Sequence, residues 1–593
     1  MSIDITPSLN SRLEHKAGTF STLTQALDYA AQGETGLNFY NLRGEVDAVL
    51  PYSELQSRAA ARAELFAARF ERGSRIGLVA ETSPDFFVTF FACQYAGIIP
   101  VPMPMPVNLG GKEGYIRQIA QMLSCARASA AIGPEALTAF LSEAAASCED
   151  GSAIDVIAFE AIDAMGETAP AVAFNEDEMC YIQYSSGSTS APKGVIGTQR
   201  SVSCNLRAIS VDGLHTVAGD RAVSWLPLYH DMGLIGFALA PMFGQLSIDY
   251  IATSDFVRRP LLWLRLLTEN KATLTYSPSF GYELAAKRAG RAEPGSIDLS
   301  ALRVAGIGGD MVRPEALNAF TDAFAPFGFD PSVFTPSYGM AEATLAISFP
   351  ELRKPVTVDY VDMRHYTRSG VAQPASAVTA PTHRRGFVLC GKVLPGHDMK
   401  VRNENGDIAG EREVGRIFIK GPSLTPGYFS DDAKAKPQYD GEWLDTGDMG
   451  YMLDDQIAIT GRAKDLVIIN GRNIWPQDIE WAVEKVEGVR AGGVAAFSVD
   501  DGGRENIVVV VERRGGMEPE ERDMMKREIA KVIQNAAGAP AEIVLARPHS
   551  LVMTSSGKLS RAKVKQKYND GAFTDDPSIN PSKANLAVAE VRV

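Results

Sequence analysis

The sequence predicts an α/β fold: a large N-terminal unit with mostly parallel sheets, and a small C-terminal α+β unit. Three observations carry this. Short apolar strands alternate with helix-length segments through most of the first two thirds of the chain. A stretch without any charge, 86–111, is broken in its second half by Pro100, Pro102, Pro104 and Pro106, so it reads as buried helix followed by strand rather than as a membrane span. After "GRAKD" (461–465) the pattern restarts on a smaller scale.

The elements follow in order. Ser53 and Gln56 form a capping box ahead of the helix SELQSRAAARAELFAARF. RIGLVA (75–80) is a short buried strand. Ser83-Pro84 then supplies an N-cap and a proline at the first helical position, opening a helix to about Ala96, with a strand over 98–101. An apolar-aromatic strand covers 179–184. From 349 to 385 prolines and polar residues are scattered without a period, which marks a functional or disordered segment. The small unit comprises a helix around 476–486, a strand over 506–511 and a charged helix around 519–534. The polar tail, 571–593, is expected to be loose. The domains are therefore 1–462 and 463–570.

Composition limits the function classes. The 593 residues are 45% hydrophobic and 22% charged, enough for a large core and more than one domain. A net charge of −14 disfavours non-specific binding to nucleic acid or to an anionic membrane. Six cysteines, none in a metal-ligand spacing, read as free thiols of a reducing compartment. The opening MSIDITPSLN has no basic region and no apolar run, so the expected location is cytoplasmic. No internal repeat is visible.

The stretch YSSGSTSAPKG (184–194) carries the chemistry. Its glycines allow close approach of backbone to an anion, its hydroxyls and N–H groups can donate to phosphate oxygens, and Lys193 adds positive charge. It is not a Walker A loop, because the order is P-K-G. Alone, it would also suit a flexible Ser/Gly surface loop.

It is not alone. The sequence resembles the adenylate-forming superfamily of acyl-CoA synthetases, luciferases, amino-acid adenylation domains and fatty acyl-AMP ligases, whose phosphate loop reads Y-[ST]-S-G-[ST]-T-x-x-P-K-G. The resemblance runs over roughly 20–570 through several long motifs in fixed order. It implies an adenylation domain followed by a mobile C-terminal domain, with ATP and Mg²⁺ as cofactors. Ser185, Ser186, Gly187, Ser188, Thr189 and Lys193 would bind phosphate. His230 of LPLYHDMGL would border the acyl pocket. Gly308, Gly309 and Asp310 of GIGGD would lie beside adenine. In SYGMAEAT, Tyr338 would pack on adenine next to Gly339, and Glu342 would hold Mg²⁺. Asp448 of WLDTGD would accept from both ribose hydroxyls. Arg462 would serve ribose and phosphate, Lys464 would be the hinge, and Lys558 of TSSGKLSR would drive adenylation. Three positions depart from common family usage: Ser190 for glycine, Ala341 for threonine and Val552 for proline.

Within the superfamily, GRNIWPQDIE, YGMAEATL and the long connection from Glu342 to Gly391 resemble the fatty acyl-AMP ligase and acyl-carrier-protein ligase branch. That branch carries an insertion, for which about 350–385 is the candidate, and the insertion hinders the domain arrangement used for CoA. The resemblance implies activation of a medium- or long-chain fatty acid to acyl-AMP and transfer to a separate holo-acyl carrier protein. A long-chain fatty acyl-CoA synthetase is the alternative. KLSRAKVKQK (558–567), with Lys558, Arg561, Lys563, Lys565 and Lys567, is the candidate docking stretch for an acidic carrier, or else a solvated helix face.

Overall fold

The structure is a computed structural model that describes residues 13–106, 111–148, 153–185, 192–293, 295–430, 436–469, 472–500, 505–514, 517–554 and 558–573. Its largest sheet has seven strands in the order 334–336, 304–307, 274–277, 221–224, 247–251, 36–40 and 46–51, parallel except for the last. A second, all-parallel sheet orders 99–103, 75–79, 130–133 and 155–158. These strands are short and apolar because helices cover both faces. A buried polar pin fixes the large sheet: Arg221 donates to both oxygens of Asp249 (2.8 and 2.7 Å), and Asn38 donates to the same carboxylate at 2.8 Å. Three neighbouring strands are thereby tied in one register.

Several predicted elements match closely. The helix Pro84–Ala96 has Ser83 at its N-cap, Pro84 at its start and Gly97 in the left-handed conformation at its end. The strand after it is Ile99–Met103, which starts one residue and ends two residues later than expected. The capping box at Ser53 and Gln56 is not made. The helix is Tyr52–Arg69 and its N-cap is Pro51, with no side-chain cap bond. Tyr52 starts it because its ring is fully buried, its N–H donates to the Thr35 carbonyl, and its hydroxyl donates to the Leu246 carbonyl at 2.8 Å. Ser83, for its part, makes no side-chain cap bond either.

The segment read as patternless is folded. Strand Val358–Asp362 pairs antiparallel with Arg384–Val388, and helix Met363–Ser369 lies between them, capped by Asp362. Val361, Tyr366 and Phe387 are buried with Tyr451, Ala458 and Trp475. The Trp475 indole N–H donates to the Tyr366 hydroxyl at 3.1 Å. Arg385 pairs with Asp478, and its guanidinium lies 5.2 Å from the Trp481 ring centre. Arg313 approaches the same ring at 5.7 Å. The insertion thus packs against residues of the small C-terminal unit.

That unit is built from helix Pro476–Val483, a sheet of Val489–Asp500, Glu505–Arg513 and Ala541–Ala546, and helix Pro519–Ala537. Val467, Ile479, Val509 and Ile529 belong to its own hydrophobic cluster. A last helix, Arg561–Asn569, packs on the strand Val489–Asp500. Most of the tail, 574–593, lies outside the described residues.

Candidate active site

A cavity of about 1290 Å³ opens at the carboxyl ends of the parallel strands. Its lining includes the residues that directly follow four of them: Ala80, Trp225, Ala252 and Pro278. Ligands bind in open α/β sheets at this edge, where loops rather than ladder bonds face outward.

The strands Met179–Ser185 and Lys193–Thr198 pair antiparallel, with Ser185 opposite Lys193. Ser186, Gly187, Ser188 and Thr189 lie outside the described residues, and so does the side chain of Ser185. Lys193 lines the cavity, with its ammonium 5.0 Å from the centre of the Tyr428 ring.

His230 caps the short helix Asp231–Leu234 and also lines the cavity. Its Nδ1 lies 3.1 Å from Asp231 Oδ1. An ionised carboxylate can only accept, so Nδ1 carries the proton. Burial works against the Asp231 anion, but the hydrogen bond and charge of His230, with the charge of Lys558, hold its carboxyl below the usual range. A side chain at Gly233 would place a Cβ 2.1 Å from the Pro227 carbonyl oxygen, so this tight turn requires glycine.

Glu342 sits on the turn Ala341–Ala343 and lines the cavity. Its Oε1 accepts from the Tyr428 hydroxyl at 2.6 Å, while Oε2 has no hydrogen-bond partner among the described residues. Gly309, at φ +75°, turns its carbonyl to accept from Lys558 Nζ. Lys558 comes from the small unit, and here it completes the cavity wall. Gly308 packs against Ser337, and Asp310 caps the N–H of Met311 at 2.8 Å. Gly339 leaves no room for a Cβ, which would stand 1.9 Å from the Leu345 carbonyl oxygen.

Tyr338 and Asp448 are buried behind this wall. The tyrosine hydroxyl donates to Asp448 Oδ2 at 2.8 Å, and Arg462 Nε lies 3.2 Å from Oδ1. The Tyr338 ring belongs to a core cluster with Ala343 and Ile347 rather than to the cavity lining, which is formed here by Gly339, Met340 and Gly447. Arg462 and Lys464 both face the cavity. Burial and the neighbouring Arg462 hold the Lys464 ammonium below its ordinary range.

Sequence reasoning missed two groups that touch this machinery. Asp231 directly follows His230 and was readable as its partner. Tyr428 had no signal, because it lies far along the chain in a strand of two residues.

Residues 39–429 match the AMP-binding enzyme family. The chain belongs to that family. AMP-binding enzymes use ATP with Mg²⁺. The site fits that ion: Mg²⁺ takes one or two carboxylates plus phosphate oxygens rather than a dedicated protein cage. Glu342 offers one carboxylate oxygen, and no cluster of three or more metal-ligating side chains exists among the described residues. Among related AMP-binding proteins, one from Caulobacter vibrioides, provisionally named an acyl-CoA synthetase, is 45% identical over 96% of this chain and 99% of its own length. The medium-chain-fatty-acid–[acyl-carrier-protein] ligase JamA of Moorena producens is 29% identical over 93% and 96%. A solved structure from work on fatty acyl-adenylate ligases of E. coli and L. pneumophila superposes with a TM-score of 0.87 at 40% identity, over 94% of this chain and 99% of that one. Among the described residues no helix is long and apolar enough to cross a membrane.

Proposed function

We propose that this AMP-binding enzyme activates a medium- or long-chain fatty acid as its acyl adenylate and then passes the acyl group to the phosphopantetheine thiol of a separate holo-acyl carrier protein. The observation that carries the first step is Lys558 of the small unit, seated in the cavity that also holds Glu342, Lys193 and His230. The fatty acyl substrate and the carrier are supported by the JamA and fatty acyl-adenylate ligase similarities and by the apolar lining at Met105, Trp225 and Phe280.

The first step joins two anions. A carboxylate oxygen attacks the α-phosphorus, the bond to the bridging oxygen breaks, and pyrophosphate leaves. Lys558 and Lys193 bring positive charge to where negative charge develops. His230, aligned by Asp231, borders the reacting carboxylate. Glu342 would hold Mg²⁺, which would supply charge to neutralise phosphate oxygens. Ser185, Ser186, Gly187, Ser188 and Thr189 cradle phosphate, Gly308, Gly309, Asp310, Tyr338 and Gly339 shape the adenine side, and Asp448 with Arg462 takes the ribose. For the ring of Tyr338 to meet adenine and for Asp448 to meet the ribose, the wall at Gly339, Met340 and Gly447 has to yield. In the second step the thiol attacks the acyl carbonyl and AMP leaves. No protein nucleophile is needed. We assign 1–462 and 463–570 as the two domains and Lys464 as their hinge, so that rotation withdraws Lys558 before transfer.

Docking of the carrier rests on fewer cations than the sequence offers. Arg561 is consumed internally by Glu480 and Asp465, Lys558 enters the cavity, and Lys567 donates to the Ser550 carbonyl. Lys563 and Lys565 remain for an acidic partner. The double variant Lys563→Glu/Lys565→Glu is expected to slow carrier loading about tenfold and to leave adenylate formation unchanged. Equal loading by variant and wild type would remove these lysines from the interface.

The acyl-CoA synthetase reading is favoured by the name of the Caulobacter relative. One competition separates the two: enzyme, ATP, Mg²⁺ and a fatty-acid ladder are supplied with holo-carrier protein and CoA together, and thioesters are read by intact mass. Acyl carrier with little acyl-CoA is the expected product. Acyl-CoA as the main product would replace the carrier reading and make the packed insertion a bystander to thiol choice.

A further inference from the structure

The segment 423–429 reaches both halves of the site. Toward Glu342 it makes three bonds. The Thr425 N–H donates to the Glu342 carbonyl at 2.8 Å, the Tyr428 hydroxyl donates to Glu342 Oε1 at 2.6 Å, and Thr344 Oγ1 donates to the Ser423 carbonyl at 2.8 Å. Toward the phosphate hairpin it makes three more contacts. Tyr428 and Phe429 pair antiparallel with Val195 and Gly194, Thr425 Oγ1 donates to the Ile196 carbonyl at 2.8 Å, and the Tyr428 ring faces the Lys193 ammonium at 5.0 Å.

The Glu342 loop needs such restraint. Thr344 has φ +69° and ψ −60°, and the Leu345 N–H donates to the Ala343 carbonyl at 2.9 Å. This is a γ-turn at a β-branched residue, a strained conformation that persists only when its surroundings over-determine it. Thr344 is buried, and its hydroxyl is tied to Ser423. The loop is therefore held in place from the 423–428 side.

We infer that Tyr428 is a positioning residue that couples the two halves: its hydroxyl fixes the Glu342 carboxylate with Oε2 left for a divalent cation, and its ring steadies the Lys193 ammonium beside the phosphates. Each group is presented correctly only while its own contact with this side chain is made. The inference rests on the proposed assignment of Glu342 to the metal and of Lys193 to phosphate. Two contacts through one side chain also separate chemically. Phenylalanine keeps the ring and loses the hydroxyl, whereas leucine loses both.

The test is metal binding, followed without turnover. Mn²⁺ is titrated by electron paramagnetic resonance into enzyme saturated with α,β-methylene-ATP, and melting temperatures are recorded in parallel. Tyr428→Phe is expected to weaken Mn²⁺ binding about tenfold and to leave the metal-free affinity for the nucleotide analogue near wild type. Tyr428→Leu is expected to weaken both. Adding Tyr428→Phe to Glu342→Gln is expected to change Mn²⁺ binding no further, since the hydroxyl acts only through that carboxylate. Wild-type Mn²⁺ affinity in Tyr428→Phe, or a full additional loss in the double variant, overturns the coupling. Should Tyr428→Phe melt early, Tyr439→Phe loosens the same segment from outside, because the Tyr439 hydroxyl donates to the Thr425 carbonyl at 2.6 Å. About threefold weaker Mn²⁺ binding is then expected, and none would count against the proposal. If Glu342→Gln alone leaves Mn²⁺ binding intact, the metal assignment fails first, and the coupling falls with it.

Discussion

Lys558→Ala is expected to lower ATP–pyrophosphate exchange by about 10²–10³-fold while leaving the melting temperature at the wild-type value. The small unit delivers this amine to the Gly309 carbonyl, inside the cavity and close enough to Asp231 to pull its carboxyl down. Its proposed contribution is charge placed where pyrophosphate departs, where one well-aimed donor contributes about 3–4 kcal/mol. The side chain supports little of the fold, which is why stability should not move. Transfer from a preformed acyl adenylate to the thiol should survive the substitution, because the amine serves the first step alone. A variant that loses both half-reactions equally would show that Lys558 has a general role in holding the units together. Full exchange activity would remove it from the chemistry.

The second large effect is on stability. Arg561→Met should destabilise the C-terminal unit by about 3–5 kcal/mol, the cost of leaving a buried charge unpaired. Arg561 donates to both oxygens of Glu480 at 2.7 Å and to Asp465 at 2.9 Å. Burial works against the cation, but the two carboxylates more than offset it and hold the guanidinium above its ordinary range. Glu480 is 4% exposed and, without Arg561, would keep only the Ala496 N–H at 3.0 Å. Chemical denaturation followed by circular dichroism should show an earlier transition for this unit. Replacing Arg561 and Glu480 together with apolar residues should recover much of the loss, since removing both charges leaves nothing stranded. An unchanged transition in the single variant would mean that water reaches Glu480.

The elements that sequence patterning read well are those whose signals are local. Helix Pro84–Ala96 announces itself by a proline at its start and a glycine at its end, and strand Arg75–Val79 by an unbroken apolar run. The site motifs were legible for a related reason: each is a short contiguous run, and the fold brings Lys193, His230, Glu342, Lys464 and Lys558 to one cavity. The place of the insertion was legible but its fold was not, because Val361, Tyr366 and Phe387 are buried by Tyr451 and Trp475, residues with no sequence proximity to them. Its two strands form a small sheet of their own, so no alternation set by a larger sheet appears in the sequence. The capping box failed because a buried tyrosine one residue earlier outweighed a surface hydrogen bond at the helix start. Tyr428 escaped notice since its importance lies in two distant contacts and in no motif.

One consequence concerns observation rather than chemistry. Trp481 belongs to the small unit, whereas Arg313 and Arg385, the two guanidinium groups against its ring, belong to the large one. Of the chain's five tryptophans, Trp263 is fully enclosed in the core of the large unit, so rotation of the small unit should leave its surroundings alone, whereas Trp225 lines the cavity and Trp475 of the small unit donates to Tyr366 of the large one. Trp481 would lose both cations at once if the small unit turned away. Its emission is thus a built-in optical gauge of the angle between the units, readable in a stopped-flow instrument without any attached dye.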